Sequence, residues 1–377
     1  MPSSPIQTPT GQLPSTTGLV QVLKQVPDPR SRRGIRHGLP GIVAVALAAV
    51  TAGARSFAAI GQWAGELTGA QLADLGLSRP IAPDASTFRK VLARVDAATL
   101  DLMIGAFVWT RTRMVEGRRV IAIDGKTVRG ARTATTTAPH LVSALDHATG
   151  TVLGQLATAA KSNEIPTVRT LLAGFDLRAD GGVVVTVDAM HTQTDTATAI
   201  VEAGGDYVFT VKANQPTLYA ACKKLPWRDV GEHSRVSTGH GRRVRRTIKV
   251  VAAPAWITFA RAAQVAQIRR TTTRNGKKTV EVVYVITSAD HRAAPPAVLA
   301  AWVQGHWGIE TRTHWVRDVV YDEDRSQVRT GNGPQVMATL RNTAISLLRL
   351  AGATNIAASL RHHATRTERP ITLLLTS

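Results

Sequence analysis

Cysteine is almost missing from this chain: Cys222 stands alone among 377 residues. One thiol excludes an internal disulfide framework and any zinc cluster built on several cysteines, and it fits a reducing, cytoplasmic setting. Long apolar stretches are lacking as well. The longest, Gly41 to Ala54, falls well short of the ~20 residues needed to cross a bilayer. The N-terminus shows no basic-then-apolar leader pattern, so neither a membrane nor a secreted protein is expected. Acidic residues are scarce: 46 Lys+Arg against 26 Asp+Glu leave a formal charge of +20, a balance that points to a polyanionic partner, nucleic acid first. The excess is uneven. From Arg235 to Lys278 there are twelve Lys or Arg and no Asp or Glu, which suits phosphate neutralisation or, more blandly, a solvated basic face.

With 44% hydrophobic and 19% charged residues, the chain is expected to fold, into two or three units at the usual size of a domain. Residues 1–17, rich in Pro, Ser, Thr and Gln, read as a disordered tail. Residues 18–115 read as a small all-α N-terminal domain, with apolar helical runs at Ile42 to Val50, Phe57 to Trp63 and Leu100 to Val108. Within it, Pro83-Asp84-Ala85-Ser86 opens a helix that puts Phe88, Val91, Leu92 and Val95 on one face and Arg89, Lys90 and Arg94 off it. That is the pattern of a groove-reading helix and also of an ordinary basic amphipathic one. The cluster Arg30, Arg32, Arg33 and Arg36 is open in the same way, to phosphate or to solvent.

From about residue 116 the period changes. Val120 to Ile123 is a β-branched strand ending at Asp124. Leu141 to Asp146 and Thr151 to Ala157 form a hairpin. A helix capped by Ser162 or Asn163 runs to about Phe175, Val183 to Val187 is a buried strand ending at Asp188, a further helix reaches about Ala203, and Asp206 to Val211 is a strand. The order strand, hairpin, helix, strand, helix, strand predicts an α/β fold of ribonuclease-H-like type with a mixed sheet. Residues 213–295, with strands near 247–252, 263–269 and 279–287, read as an inserted, basic, β-rich subdomain that interrupts the sheet. Helices return at about 296–320 and 336–350.

Two acids, Asp124 and Asp188, therefore stand at the ends of apolar strands, where α/β sheets collect functional side chains; strand-terminal Asp residues also cap helices. Neighbouring carboxylates need a cation, and hard divalent ions such as Mg²⁺ or Mn²⁺ suit them. A helix from Ala300 to Asp318 offers the third acid. Glu310 shares its helical face with His306, His314 and Arg317, a face expected to be wet, opposite the apolar Trp302, Ile309 and Val316. Asp318, Asp322, Glu323 and Asp324 are rival acids, expected to be solvated or paired with Arg325 and Arg329. Trp307 and Trp315 suit core packing better than stacking on a base. A zinc site is unsupported, because no Cys or helical His-Glu set completes one.

Together these stretches resemble the H-repeat-associated DDE transposases of bacterial insertion sequences (the ISAs-type group), over nearly the whole length. The resembling segments are Asp28-Pro29-Arg30, Asp84 to Asp96, Ile123-Asp124-Gly125-Lys126-Thr127-Val128-Arg129-Gly130, Lys161-Ser162-Asn163-Glu164-Ile165, Asp188-Ala189-Met190, Lys212-Ala213-Asn214-Gln215-Pro216, Gly239-His240-Gly241-Arg242 and His306-Trp307-Gly308-Ile309-Glu310. Related transposases often have a Tyr and an Arg before the glutamate and a Lys after it; Val303, His306 and Arg317 stand at those spacings. The resemblance implies a catalytic triad of Asp124, Asp188 and Glu310 that holds two Mg²⁺ ions (Mn²⁺ as a substitute) and cuts and joins double-stranded DNA, both element terminal repeats and target. It also implies DNA contacts from Lys126, Arg129, Lys212, Asn214, Gln215, Arg242, Arg243, His306, His314 and Arg317, with Arg89 and Lys90 from the N-terminal domain. A homodimer on DNA follows from the need to join two ends. The competing reading is an inactive or domesticated transposase-derived protein that binds DNA without cutting it.

Overall fold

The computed structural model describes residues 18–33, 35–112, 118–158, 164–239 and 241–377. The expected tail at 1–17, the Ser162 or Asn163 cap, Lys161 and His240 lie outside them.

Six helices come first: α1 (Leu19–Leu23), α2 (Leu39–Thr51), α3 (Phe57–Gly65), α4 (Gly69–Asp74), α5 (Ala85–Leu92) and α6 (Ala97–Trp109). Helix α2 is apolar all round and almost wholly buried, as a core helix must be. Asp84 caps α5 by accepting from the backbone N–H groups of Ser86 and Thr87, and Phe88, Val91, Leu92 and Val95 are buried as their spacing predicts. A Cβ on Gly61 would come within 2.7 Å of the Ala85 nitrogen, so α3 and α5 meet where only glycine fits.

The remaining elements are β1 (Val120–Thr127), β2 (His140–Asp146), β3 (Val152–Thr158), α7 (Glu164–Leu172), β4 (Val184–Val187), α8 (Thr194–Glu202), β5 (Asp206–Val211), α9 (Pro216–Lys223), β6 (Glu232–Gly239), β7 (Arg242–Ala252), β8 (Gln264–Arg274), β9 (Lys277–Thr287), α10 (Pro296–His306), α11 (Gly333–Leu350), α12 (Ile356–Ala364) and α13 (Glu368–Thr376). One nine-stranded sheet has the order β3-β2-β1-β4-β5-β9-β8-β7-β6. Strands β2 and β3 are antiparallel, whereas β1, β4 and β5 run parallel. This is the ribonuclease-H-like arrangement. Its central strands β1 and β4 bury Val120 to Ile123 and Val184 to Val187, continuous β-branched runs suited to a sheet covered on both faces.

Two points differ from the sequence reading. Strand β1 does not stop at Asp124 but continues to Thr127. The insertion does not interrupt the sheet: β9 pairs antiparallel with β5, and β8, β7 and β6 extend it. Helix α9 and strand β6 went unforeseen, because α9 has one fully buried position and β6 none. Neither leaves a hydrophobic period to read.

The chain forms two compact units. One takes the described residues of 1–113, 124–175 and 308–377, the other those of 114–123 and 176–307. In the first, α11 threads the core with α2 and α6, and a Cβ on Gly105 of α6 would lie 2.2 Å from the Leu153 carbonyl oxygen of β3. In the second, Val120, Val184, Val208, Ile248, Val285 and Leu299 form a core against which Trp302 and Val303 of α10 pack. Cys222 is fully buried there, and burial pushes its thiol up to about 11, so it is chemically quiet.

Candidate active site

In the first unit, Asp124, Glu310 and His314 each offer a ligand atom within 4.8 Å of the others. His314 Nδ1 lies 3.0 Å from Glu310 Oε2 and 3.6 Å from Asp124 Oδ2. The imidazole is buried, whereas the Glu310 carboxylate remains 59% exposed. The His314 hydrogen bond holds the Glu310 carboxyl below its ordinary range. Burial pushes Asp124 the other way, and repulsion from Glu164 and Glu310 adds to it. A half-buried carboxyl facing two other carboxylates is a place that a hard cation would relieve.

Behind Asp124 stands Glu164, only 2% exposed and 2.9 Å from His140 Nε2; His140 Nδ1 reaches Thr127 Oγ1 at 2.9 Å. A Cβ at Gly125 would lie 2.2 Å from Glu164 Oε1, so the glycine after Asp124 leaves room for this acid. Beside it, Lys126 is engaged with Asp318 at 2.6 Å.

Glu310 rides on a helical segment that departs from the α-helix. Residues Glu310–His314 and Val316–Val320 are π-helical, with i to i+5 hydrogen bonding. The wider turn carries Arg317 inward. Its side chain is fully buried, with Nη2 2.7 Å from Glu323 Oε1, while Arg341 Nη1 donates to Glu323 Oε2 at 2.9 Å. Gln155 and Asn342 lie at the other guanidinium nitrogen of Arg317. Arg312 anchors the same segment to the β2–β3 turn by donating to the carbonyls of His147 and Thr149. Gly150, at φ +71°, gives that guanidinium its space.

In the second unit, Asp188 follows β4 and opens a tight turn, Ala189–His191. Lys212 Nζ lies 3.3 Å from its carboxylate, and both are about half exposed. Burial opposes ionisation of Asp188, but the Ala189 N–H and Lys212 outweigh it and hold the carboxyl below its usual value. The loop after β5 braces this turn. Asn214 Nδ2 donates to the Ala189 carbonyl and Gln215 Nε2 to the Thr192 carbonyl, each at 2.8 Å. His306 is buried, bonded to Thr186 Oγ1 at 3.0 Å, and burial lowers its pKa to about 4.

Residues 116–347 match the family described as "Transposase DDE domain", and residues 20–108 match the one described as "DDE_Tnp_1-associated". The chain belongs to the DDE transposases. "Putative transposase YncI" of Escherichia coli O157:H7 is 30% identical over 89% of this chain and 88% of its own. "H repeat-associated putative transposase YhhI" of Escherichia coli (strain K12) is 30% identical over 88% of this chain and 90% of its own. A chain of the piggyBac transposase synaptic complex with hairpin DNA aligns over 93% of this chain and 80% of that one, with TM-score 0.38 and 11% identity.

Several side chains expected on this transposase's DNA surface are engaged elsewhere. Arg317 is buried in an ion-pair network instead of lying on a wet face. His306 and His314 are buried too, and His306 is neutral above about pH 4. Lys126 is 9% exposed and committed to Asp318, and the amides of Asn214 and Gln215 hold backbone. Arg89, Lys90, Arg242 and Arg243 are exposed, and Arg129 is 78% exposed at 3.6 Å from Asp324. Glu323, expected in solvent or paired with Arg325 and Arg329, is fully buried and paired with Arg317 and Arg341. The tryptophans reverse the core-packing expectation, Trp307 being 59% and Trp315 53% exposed. Glu164 and His140, absent from the expected site, carry one legible signal: Glu164 falls within a resembling segment.

Proposed function

We propose that this transposase cuts and joins DNA at the ends of a bacterial insertion sequence, with Asp124, Asp188 and Glu310 as its catalytic carboxylates. The observation that carries the reading is the convergence of Asp124 and Glu310, 186 residues apart in numbering, on one spot with His314. Asp188 is included in the proposed set because Ile123 and Val187 are the last paired residues of β1 and β4, and each is followed by an aspartate.

The donor set fits hard divalent ions. Two Mg²⁺, or Mn²⁺ in their place, would activate a water or DNA 3′-hydroxyl and neutralise charge during in-line phosphoryl transfer. The protein's own part is preorganisation. His314 orients the Glu310 carboxylate and keeps it ionised, the Ala189 N–H and Lys212 keep Asp188 ionised, and Arg312 and Arg317 fix the helical segment that presents Glu310. Exposed Lys212, Arg129, Arg242, Arg243, Arg89 and Lys90 hold phosphate backbone. Work on two ends calls for two protomers on DNA, within the cytoplasm.

The test is Mg²⁺-dependent cleavage of linear DNA bearing the element's own ends, wild type against Asp188→Asn. Cleavage by wild type, lost in the variant while binding persists, is the expected result. Binding without cleavage by wild type in Mg²⁺ or Mn²⁺ would establish a DNA-binding protein instead.

A further inference from the structure

The outer end of the extended sheet presents cations on both faces. Every residue of β6 is exposed, as are Arg242, Arg243 and Arg245 of β7, Arg269 and Arg274 of β8 and residues 277–282 of β9. Side chains alternate across a strand, so the register decides which cations share a face. The pairs Arg235↔Arg246, Arg246↔Arg270, Arg242↔Arg274 and Arg274↔Lys277 put all of these cations on one face. Glu281, 3.6 Å from Arg270, is the acid in that set. Arg243, Arg245, Arg269 and Lys278 line a shallow concavity of about 390 Å³ on the opposite face, where Glu232 lies 2.9 Å from Arg245.

Such crowding has a cost. Burial and repulsion from Arg270, Arg242 and Arg235 lower the pKa of Arg246. A face kept basic for solubility would intersperse the two signs, whereas these faces carry cations in rows that need a polyanion. From Arg242 to Thr247 the strand covers about 17 Å, a length over which duplex DNA presents about ten charges. A duplex laid along one face leaves the cations of the other face unneutralised.

We propose that this sheet binds two segments of duplex DNA at once, one against each face. The proposal rests on the reading of the chain as a DNA-joining enzyme, whose reaction needs two duplexes held together.

The experiment is bridging by the full chain carrying Glu310→Gln, to prevent cutting. One duplex is fixed to beads and a second, labelled duplex is captured only if both are held. Two triple variants remove the faces separately: Arg242→Gln, Arg246→Gln, Arg270→Gln, and Arg243→Gln, Arg245→Gln, Arg269→Gln. Each is expected to hold one duplex per protomer where the parent holds two, with the salt slope of the retained duplex unchanged, because the three lost cations touch only the other duplex. The same positions changed to Lys should keep bridging, which separates charge from folding. Saturation with labelled duplex reads the number held per protomer, which pairing of protomers does not change, and two duplexes per protomer on either Gln variant, or one on the parent, would overturn the proposal. Single-duplex binding without bridging by the parent chain would overturn this inference alone; no binding at all would overturn it together with the DNA reading.

Discussion

Asn214 and Gln215 lie beside the turn that follows Asp188, but their amide nitrogens point at their own chain. Asn214→Ala removes the donor to the Ala189 carbonyl, a loss of about 1 kcal/mol in the turn that Asp188 opens. Cleavage by the variant should slow while the salt slope of DNA binding stays unchanged; a base or sugar contact would move affinity instead. Asp101 makes a second test at this scale. It is buried among Thr339, Gln335 and Gln155, and burial raises its pKa to about 7 despite those hydrogen bonds. A carboxyl raised in the folded state stabilises most below its unfolded value, near 3.8, and loses that contribution as pH climbs through about 7. Denaturant unfolding of wild type should therefore weaken relative to Asp101→Asn between pH 4 and about 7, and the difference should be flat above.

The segment that presents Glu310 depends on the buried carboxylate of Glu323, shared by Arg317 and Arg341. Burial opposes its ionisation, but the two guanidinium groups prevail and hold its pKa at about 2. Glu323→Gln leaves two buried cations short of a counter-charge, and chemical denaturation should show a loss of about 3–5 kcal/mol. The cost should concentrate in the π-helical segment, so protease sensitivity after Arg312 or Arg317 should rise with it. This element also marks where the sequence stopped being readable. Strands β1 to β5, the Asp84 cap and the apolar face of α5 were legible, because period and caps are local signals. So were Asp124 and Glu310 as partners. An α-helical wheel put Arg317 on the Glu310 face, but a π-helical register turns it inward, and no local pattern announces i to i+5 bonding. Arg341, which shares Glu323 with Arg317, comes 24 residues later in numbering, and burial of those three charges is a tertiary fact. The backbone bonds of Asn214 and Gln215 were hidden for the same reason: their acceptors, the carbonyls of Ala189 and Thr192, lie on another loop.

At the scale of the whole molecule, the proposed carboxylates are drawn from chain positions 124, 188 and 310, and the contact-defined units divide them, with Asp188 in one and Asp124 and Glu310 in the other. A cation that binds all three binds only the folded chain, because an unfolded chain holds no such set together. It must therefore stabilise the fold by mass action, by about 2.7 kcal/mol at a concentration 100 times its dissociation constant. The raised pKa of Asp124 and the lowered one of Asp188 pull the free protein in opposite directions. Ionising Asp124 costs stability as pH rises, and a bound cation cancels that cost, so the gain should grow from acid toward neutral pH. Thermal melts with Mg²⁺ or Mn²⁺ against a chelator should show an upward shift in wild type at neutral pH that shrinks on acidification. Asp124→Asn and Glu310→Gln should abolish it. Asp188→Asn decides the assembly of the triad: loss of the shift there means that the ion needs Asp188 as well, whereas a full shift would confine the ion to Asp124, Glu310 and His314.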